Sequence, residues 1–309
     1  MAHKHNLPIK IELPDRYLDE EVRCGYKITV KQKKIWAIQL DIYDTIQNVC
    51  NRHGIKFCVY WGTLLGAIRH KGFIPWDDDF DICMDRENYD RFVSLPQEEF
   101  GYPYFLQTAI TDRSYWLPIA RVRNSLTTGA VVGMMSQDYN NGVYVDVYPM
   151  DGLLDNMVAK RIHRFFIHAA IQPVAAYHMK NFPIGINGIL KRTIKPLARC
   201  LPYEFWYALF IKTLKFPTKW CDKLSTISED SKEAMWSWML KEEFKKMQEV
   251  PFEFLKVIAP YDWGEILSRI YGDFRRFPPI EKRGCWHEGQ LILDPDIPYK
   301  EYFAKHGID

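Results

Sequence analysis

Long apolar runs, paired cysteines and an excess of charge are all missing from this 309-residue chain. No stretch offers about 18 uninterrupted apolar residues, which excludes an ordinary membrane-spanning helix. The opening MAHKHNLPIKIELPDRY has no apolar run of signal-peptide length, so a cytoplasmic protein, at most peripheral to a membrane, is expected. Seven cysteines, at 24, 50, 58, 83, 200, 221 and 285, are odd in number and form no C-x-x-C pair. Their spacing indicates neither a zinc site nor a disulfide framework and fits a reducing compartment. A formal net charge of +2 argues against a general nucleic-acid binder. Acids are almost missing from one region: between Met157 and Phe216 ten Lys or Arg accompany the single acid Glu204.

What is present is ordinary globular composition, 47% apolar and 26% charged, in a chain long enough to bury a substantial core in one or two domains. Its chemistry concentrates between Val59 and Asp85. The pattern there reads as a strand, a turn at Gly62-Thr63, a short helix, a basic loop with Arg69, His70 and Lys71, and a second strand carrying acids. Asp79 and Asp81 stand two apart, so their side chains leave one face of that strand while Phe80 and Ile82 enter the core. Two carboxylates held so close call for a cation, and hard oxygen donors suit magnesium or manganese bridged to a phosphate. A Gly followed by a small hydroxyl residue at a helix start leaves backbone N–H groups free for that phosphate, and the basic loop is placed to steady an anionic leaving group. A calcium loop is excluded, because Ile82 stands where a Gly is required and Asn88 where a bidentate Glu is needed. A merely solvated acidic run would not alternate with Phe80, Ile82 and Met84.

Elsewhere the periodicity sets a scaffold. Ile35, Ile38, Ile42, Ile46 and Val49 predict a helix from Lys31 to about Arg52, stopped at Gly54, and Ile55 to Trp61 predicts the first strand. Asp85 is placed to cap a helix running to Ser94. Strands are expected from Tyr104 to Thr108 and from Ile119 to Asn124, the second with Arg121 and Arg123 on one face, open to phosphate contact or to pairing with acids. In the stretch from Gly142 to Met150, Val143, Val145 and Val147 share one parity while Tyr144, Asp146 and Tyr148 share the other. Asp146 is therefore a third acid on a neighbouring strand, to bridge metal or accept a proton, whereas Asp151 reads as a turn cap. The basic region is expected as short helices divided at Pro183, Pro196 and Pro202. It suits an anionic bilayer or a lipid-linked polyanionic acceptor, or else a helical insertion with solvated basic faces. A helix is expected from Thr218 to Met247 with Trp220, Leu224, Ile227, Met235, Trp238 and Phe244 inside, then a strand from Phe252 to Val257. Asp262 is placed to cap a last helix from Trp263 to Tyr271, ended by Gly272.

The run WGTLLGAIRHKGFIPWDDDFDICM, with the helix before it and RENYDRF after it, resembles the LicD family of nucleotidyltransferase-fold phosphotransferases, to which fukutin-type enzymes are related. The likeness is dense from about Lys31 to Gly152 and recurs around YGDFRRFPPIEKRGCWHEG. It implies an α/β (α+β) protein with a nucleotidyltransferase-type mixed twisted sheet flanked by helices, and a helical basic insertion. The expected division is an arm at 1–30, a catalytic core at 31–156, the helical basic region at 157–250 and a segment at 251–309 that returns to the active site. The family pattern falls on Gly62-Thr63, Asp79, Asp81 and Asp146; Thr63 departs from the wider superfamily's Gly or Ser but is familiar in LicD itself. By the same resemblance Asp273, Arg283 and His287 return to the nucleotide or phosphate; as residue types, Arg283 suits bidentate phosphate contact and His287 phosphate contact or acid–base work.

The reaction so implied moves a phosphoalcohol from a CDP-alcohol to a hydroxyl of a cell-envelope glycan, free or lipid-linked, with release of CMP. Asp79, Asp81 and Asp146 would hold Mg2+ or Mn2+, with Gly62, Thr63, Arg69, Lys71 and Arg121 around the phosphates. Phosphocholine is the favoured group, and Trp61, Trp76, Trp116, Tyr144, Tyr148 and Trp286 are the aromatic candidates for its trimethylammonium head. Three competitors share parts of this pattern: a nucleotide-sugar-dependent glycosyltransferase with an Asp-x-Asp metal site, a true nucleotidyltransferase and a non-catalytic nucleotide-binding module.

Overall fold

The computed structural model describes residues 6–134, 139–178, 193–196, 198–229, 236–284, 287 and 289–308. Pro183, Lys191, Arg192, Met235 and Trp286 lie outside the described residues. The chain opens with a short antiparallel hairpin, β1 (Glu21–Arg23) with β2 (Tyr26–Ile28). Helix α1 (Val30–His53) follows where the apolar period predicts it. The Thr29 hydroxyl accepts the Gln32 N–H at 3.2 Å, and Gly54 ends the helix in the left-handed region at φ 59°.

Next come β3 (Cys58–Val59), α2 (Trp61–His70), β4 (Asp81–Asp85) and α3 (Arg86–Val93), the last capped by Asp85, whose carboxylate accepts the Asn88 N–H at 2.9 Å. Then follow β5 (Tyr104–Gln107), β6 (Ala120–Asn124), β7 (Thr128–Val131) and β8 (Val143–Gly152). The basic region holds α4 (Met157–His178) and α5 (Tyr203–Lys215), with Pro202 at the N-cap of α5. The remainder is β9 (Lys223–Ser225), β10 (Trp238–Leu240), α6 (Lys241–Lys245), the hairpin β11 (Met247–Phe252) with β12 (Leu255–Pro260), α7 (Trp263–Tyr271), β13 (Leu291–Asp294) and α8 (Tyr299–His306).

This is an α+β chain on a mixed seven-stranded sheet, and β8 is its spine. One edge of β8 carries β4 in parallel, with β3 beyond; the other edge carries β6 along Val143 to Val147 and β9 along Asp151 and Gly152, both antiparallel. The apolar parity of β8 joins Ile82, Val122 and Leu106 in the main core, which also takes in α1. Trp36 of that helix stacks on Phe73 with ring centroids 4.6 Å apart. A second, separate core gathers Leu153, Ile167, Val174, Tyr203, Phe210 and Leu214 around α4 and α5.

Several sequence expectations are corrected. No helix spans Thr218 to Met247. Because β6 covers only the first half of β8, the free edge at Asp151 and Gly152 recruits β9, and β10 then pairs with β9. Leu224, Ile227 and Phe244 are buried as expected, but Trp220 is exposed. The single strand expected from Phe252 to Val257 is instead a hairpin turning at Glu253, whose φ is 53° and whose carboxylate is gripped by Arg23 at 2.5 and 2.8 Å. The first strand is reduced to two residues, because the chain turns at Trp61 (φ 43°) to start α2. Asp262 stands at the N-cap of α7 without a side-chain cap bond. Asp151 is no turn cap: it lies in β8, fully buried, and is bound by Arg86.

Candidate active site

Strand register builds the floor of the site. Asp81 of β4 lies opposite Asp146 of β8, Asp146 opposite Arg121 of β6, and Arg121 opposite Gln107 of β5, so one polar row crosses four strands. Arg121 Nε donates to Asp146 Oδ1 at 2.6 Å, with both side chains buried, and its guanidinium lies 4.0 Å from the Tyr144 ring centre. Of the two roles open to Arg121 in the sequence, it takes that of acid partner. Burial opposes its charge, yet the Asp146 carboxylate beside it holds its pKa above the ordinary value.

The acidic run sits above this row, between α2 and β4. Asp79 precedes the strand, which begins only at Asp81, although Phe80 and Ile82 are buried as parity requires. The run is pinned by α1: Trp36 Nε1 donates to the Asp77 carbonyl at 3.1 Å and Gln39 Nε2 to the Asp78 carbonyl at 2.9 Å. At the start of α2 the Thr63 hydroxyl accepts the Asp81 N–H at 2.8 Å, which ties the Gly-Thr turn to the acid strand. Gly62 lets the acids come close; a Cβ there would stand 2.8 Å from Asp77 Oδ2.

These groups open into a cavity of about 1600 Å3. Asp77, Asp79, Asp81 and Asp273 line it with Gly62 and His287, and Arg69, Arg276, Lys282 and Arg283 supply its cations. Arg69 lies over the Phe277 ring at 5.0 Å and donates to the Phe274 carbonyl at 3.0 Å. Arg283 lies over the same ring at 5.6 Å and over Trp76 at 5.5 Å, donating to the carbonyls of Pro278 and Cys24. Both guanidiniums are thus fixed by rings and neutral carbonyls. Asp146 and Arg121 lie beneath the cavity rather than on its wall, and Lys71 is exposed outside it, its carbonyl accepting the Glu253 N–H at 2.7 Å.

His287 reaches the acids from the loop before β13. Its Nδ1 is 2.9 Å from Asp78 Oδ1 and 3.8 Å from Asp79 Oδ2. Ligand atoms of Asp78, Asp79 and His287 all lie within 4.8 Å of one another, an arrangement able to hold a metal ion. Sequence reasoning put the metal on Asp79, Asp81 and Asp146 and left Asp78 in the acidic run. The signal for Asp78 is its pairing with His287, 209 residues away, which no local pattern carries.

Burial, with Asp78 and Asp146 nearby, pushes the Asp79 carboxyl up to about 6 against the opposing pull of His287. Burial and the charges of Asp79 and Asp78 push Asp77 well above the carboxylate range. The hydrogen bond to Asp78 raises His287, aided by the charges of Asp79 and Asp146 and opposed by burial. So many crowded carboxylates call for positive charge, and two carboxylates with one imidazole form an oxygen-dominated donor set that fits a divalent cation. All three shifts place more protons on the folded chain than on the unfolded one. Without a cation, stability should therefore fall as pH rises, for Asp79 between about 4 and about 6 and for His287 above the ordinary histidine range. A divalent cation held there would take the place of those protons, so a cation that binds, with Mg2+ and Mn2+ as the probes, should raise the melting temperature more at about pH 7.5 than at about pH 5. An equal response at both pH values would remove Asp79 and His287 from the ion's ligands.

Residues 54–181 match the family model described as LicD/FKTN/FKRP, nucleotidyltransferase domain. Over 270 residues the chain is 27% identical to the lipopolysaccharide cholinephosphotransferase LicD of Haemophilus influenzae, covering 84% of this chain and 97% of that protein. A shorter likeness, 38% over 99 residues, joins it to the uncharacterized protein RP689 of Rickettsia prowazekii, covering 31% of this chain and 34% of that one. The family match takes in Gly62, the acidic run and Asp146, and ends before Arg283 and His287.

Proposed function

We propose, on the premise that this chain is a member of the LicD family, that it transfers phosphocholine from CDP-choline to a hydroxyl of a cell-envelope glycan and releases CMP. The observation that carries this reading is one cavity with Asp79 and Asp81 on its wall together with Arg69 and Arg283. Acids that call for a divalent cation, set among cations fixed for an anion, are what a nucleoside diphosphate ester requires. The head group and the acceptor class follow the H. influenzae relative, whose name specifies choline phosphate and lipopolysaccharide.

Mg2+ or Mn2+ would be held by Asp78, Asp79 and His287 beside Asp81, and when bound would supply neutralisation of the charge on the transferred phosphoryl group. The chain's own residues do the rest by positioning. The N–H groups at the start of α2, around Gly62, face the donor's phosphates, and Arg69 and Arg283 steady the departing nucleotide. Arg121 takes one oxygen of Asp146 and fixes its orientation under Asp81, where its charge completes the acid set. Asp273 accepts hydrogen bonds from the nucleotide's hydroxyls. Trp61 and Tyr148, ring centres 4.9 Å apart on the cavity wall, receive the trimethylammonium group. Trp116 and Tyr144 are not on that wall; Trp116 packs on the second core and Tyr144 under Arg121. A lipid-linked acceptor, reached by peripheral contact of the region 157–216 with the inner membrane face, completes the reading.

A magnesium-dependent assay with CDP-choline, CDP-ribitol, CDP-glycerol and nucleotide sugars, with cell-envelope glycan as acceptor, tests it. CMP release from CDP-choline, lost in Asp79→Ala, is expected. Release of UDP or GDP from a sugar donor would make the protein a glycosyltransferase, and nucleotide binding without turnover would make it a binding module.

A further inference from the structure

Helices α4 and α5 lie antiparallel: His163 Nε2 is 2.8 Å from the Thr213 carbonyl, and the Tyr177 and Tyr203 rings meet at 5.6 Å. Each helix buries one apolar stripe in the second core, Ile167 and Val174 from α4 and Tyr203, Phe210 and Leu214 from α5. Each also carries a second apolar stripe on its opposite side. On α4 this is Val158, Ile162, Phe165 and Phe166, with Phe165 68% exposed. On α5 it is Phe205 and Leu209, continued past the helix end by Phe216 and by Trp220 at 70% exposed. Steps of three and four residues keep each set on one side of its helix. The core explains only the inward stripes, and an outward run of large aromatics marks an interaction surface.

The charge around these stripes is mostly positive. Arg161, Lys212 and Lys219 are exposed beside them, and Glu204 is the single acid from Met157 to Phe216. We propose that the outward face of α4 and α5 docks on an anionic lipid bilayer, its aromatic side chains entering at headgroup depth and its basic side chains meeting the lipid phosphates. Phe and Trp next to Lys and Arg are the composition of an interfacial helix. No described helix is long and apolar enough to cross a membrane, so the contact is peripheral. A second copy of the chain fits the face poorly, because a twofold contact would set these cations against their own copies with few acids, Glu204 among them, to balance them. The inference deepens the proposed function and rests on that reading for the acceptor alone; the surface itself needs no nucleotide.

Sedimentation of the full chain with vesicles of phosphatidylcholine, with and without phosphatidylglycerol, tests it. The wild-type protein should bind the anionic vesicles, more weakly at high salt. Phe165→Ser, Phe166→Ser and Phe205→Ser together should weaken binding at least about tenfold, and Arg161→Gln, Lys212→Gln and Lys219→Gln together about a hundredfold, near fivefold for each charge. Both triple variants should keep wild-type CMP release with a soluble acceptor. Wild-type protein that ignores anionic vesicles, or variants that bind as tightly as it does, would overturn the proposal. So would a wild-type dimer made monomeric by the Ser variant without vesicle binding, which gives the face to a second copy. Vesicle binding by a protein that releases no CMP would sink the enzyme reading and leave the docking surface supported.

Discussion

Asp81→Asn is expected to lower CMP release by about 10³-fold while the melting temperature stays near that of the wild type. Asn keeps the shape of the side chain and the backbone N–H that Thr63 accepts, so the tie between α2 and β4 survives. Pairing of β4 with β8 is likewise untouched, because it runs through the backbone. What is lost is one negative charge on the cavity wall, where the acids must attract a cation and set the charge around the transferred group. Removing one of several crowded like charges also relieves repulsion, which is why no loss of stability is expected. The pair of measurements is CMP release and thermal unfolding on the same preparation. Full magnesium-dependent activity in the variant would take Asp81 out of the site, and a collapsed melting temperature would make its role structural.

Asp151→Ala is expected to have the largest effect on folding, a loss of about 3–5 kcal/mol. Its carboxylate is fully buried and receives two bonds from Arg86, at 2.7 and 2.5 Å, which tie the start of α3 to the end of β8. Burial works against the Arg86 charge, and Asp151 outweighs it, holding the guanidinium above its ordinary pKa. Without Asp151 that charge stays buried with, among the described residues, only the carboxylate of Asp90, at 3.4 Å and partly exposed, to answer it. Replacing both partners, Arg86→Met with Asp151→Leu, should recover most of the loss, because no buried charge is then left alone. Urea unfolding of the single and double variants decides the matter. Equal destabilisation in the two would show that packing, and not the uncompensated charge, sets the cost.

Local pattern was enough for the parts of the fold that repeat along the chain. The period of Ile35, Ile38, Ile42 and Ile46 identifies α1, and the alternation of Val143, Val145 and Val147 with Tyr144 and Asp146 identifies β8 and its polar face. Parity also places Asp79 and Asp81 on one cavity wall, even though Asp79 lies ahead of the strand. The region after Thr218 misleads for a physical reason. Strands of three residues are too short to display alternation, and Trp220, Leu224 and Ile227 fall at helical spacing by accident. Register is likewise invisible locally: the sequence puts Arg121 and Asp146 on polar faces but cannot say that they lie opposite each other. The same holds for Asp78 and His287, whose pairing only the folded chain creates.

Helices α4 and α5 enter and leave the main sheet at a single point. The Leu153 N–H donates to the Lys223 carbonyl at 2.8 Å, and Gly152 faces Leu224 in the antiparallel ladder of β8 and β9. The described part of the intervening chain is therefore an excursion between two residues already in contact, and its helices pack on a second core to which Ala109 and Ile227 from the rest of the chain also contribute. For protein engineering this makes it an exchangeable cassette. A donor helical pair of another surface chemistry that still covers Ala109 and Ile227 can be spliced at this junction without stretching the sheet, so the outward surface of these helices and the acid cluster of the cavity can be varied, or can diverge by descent, separately.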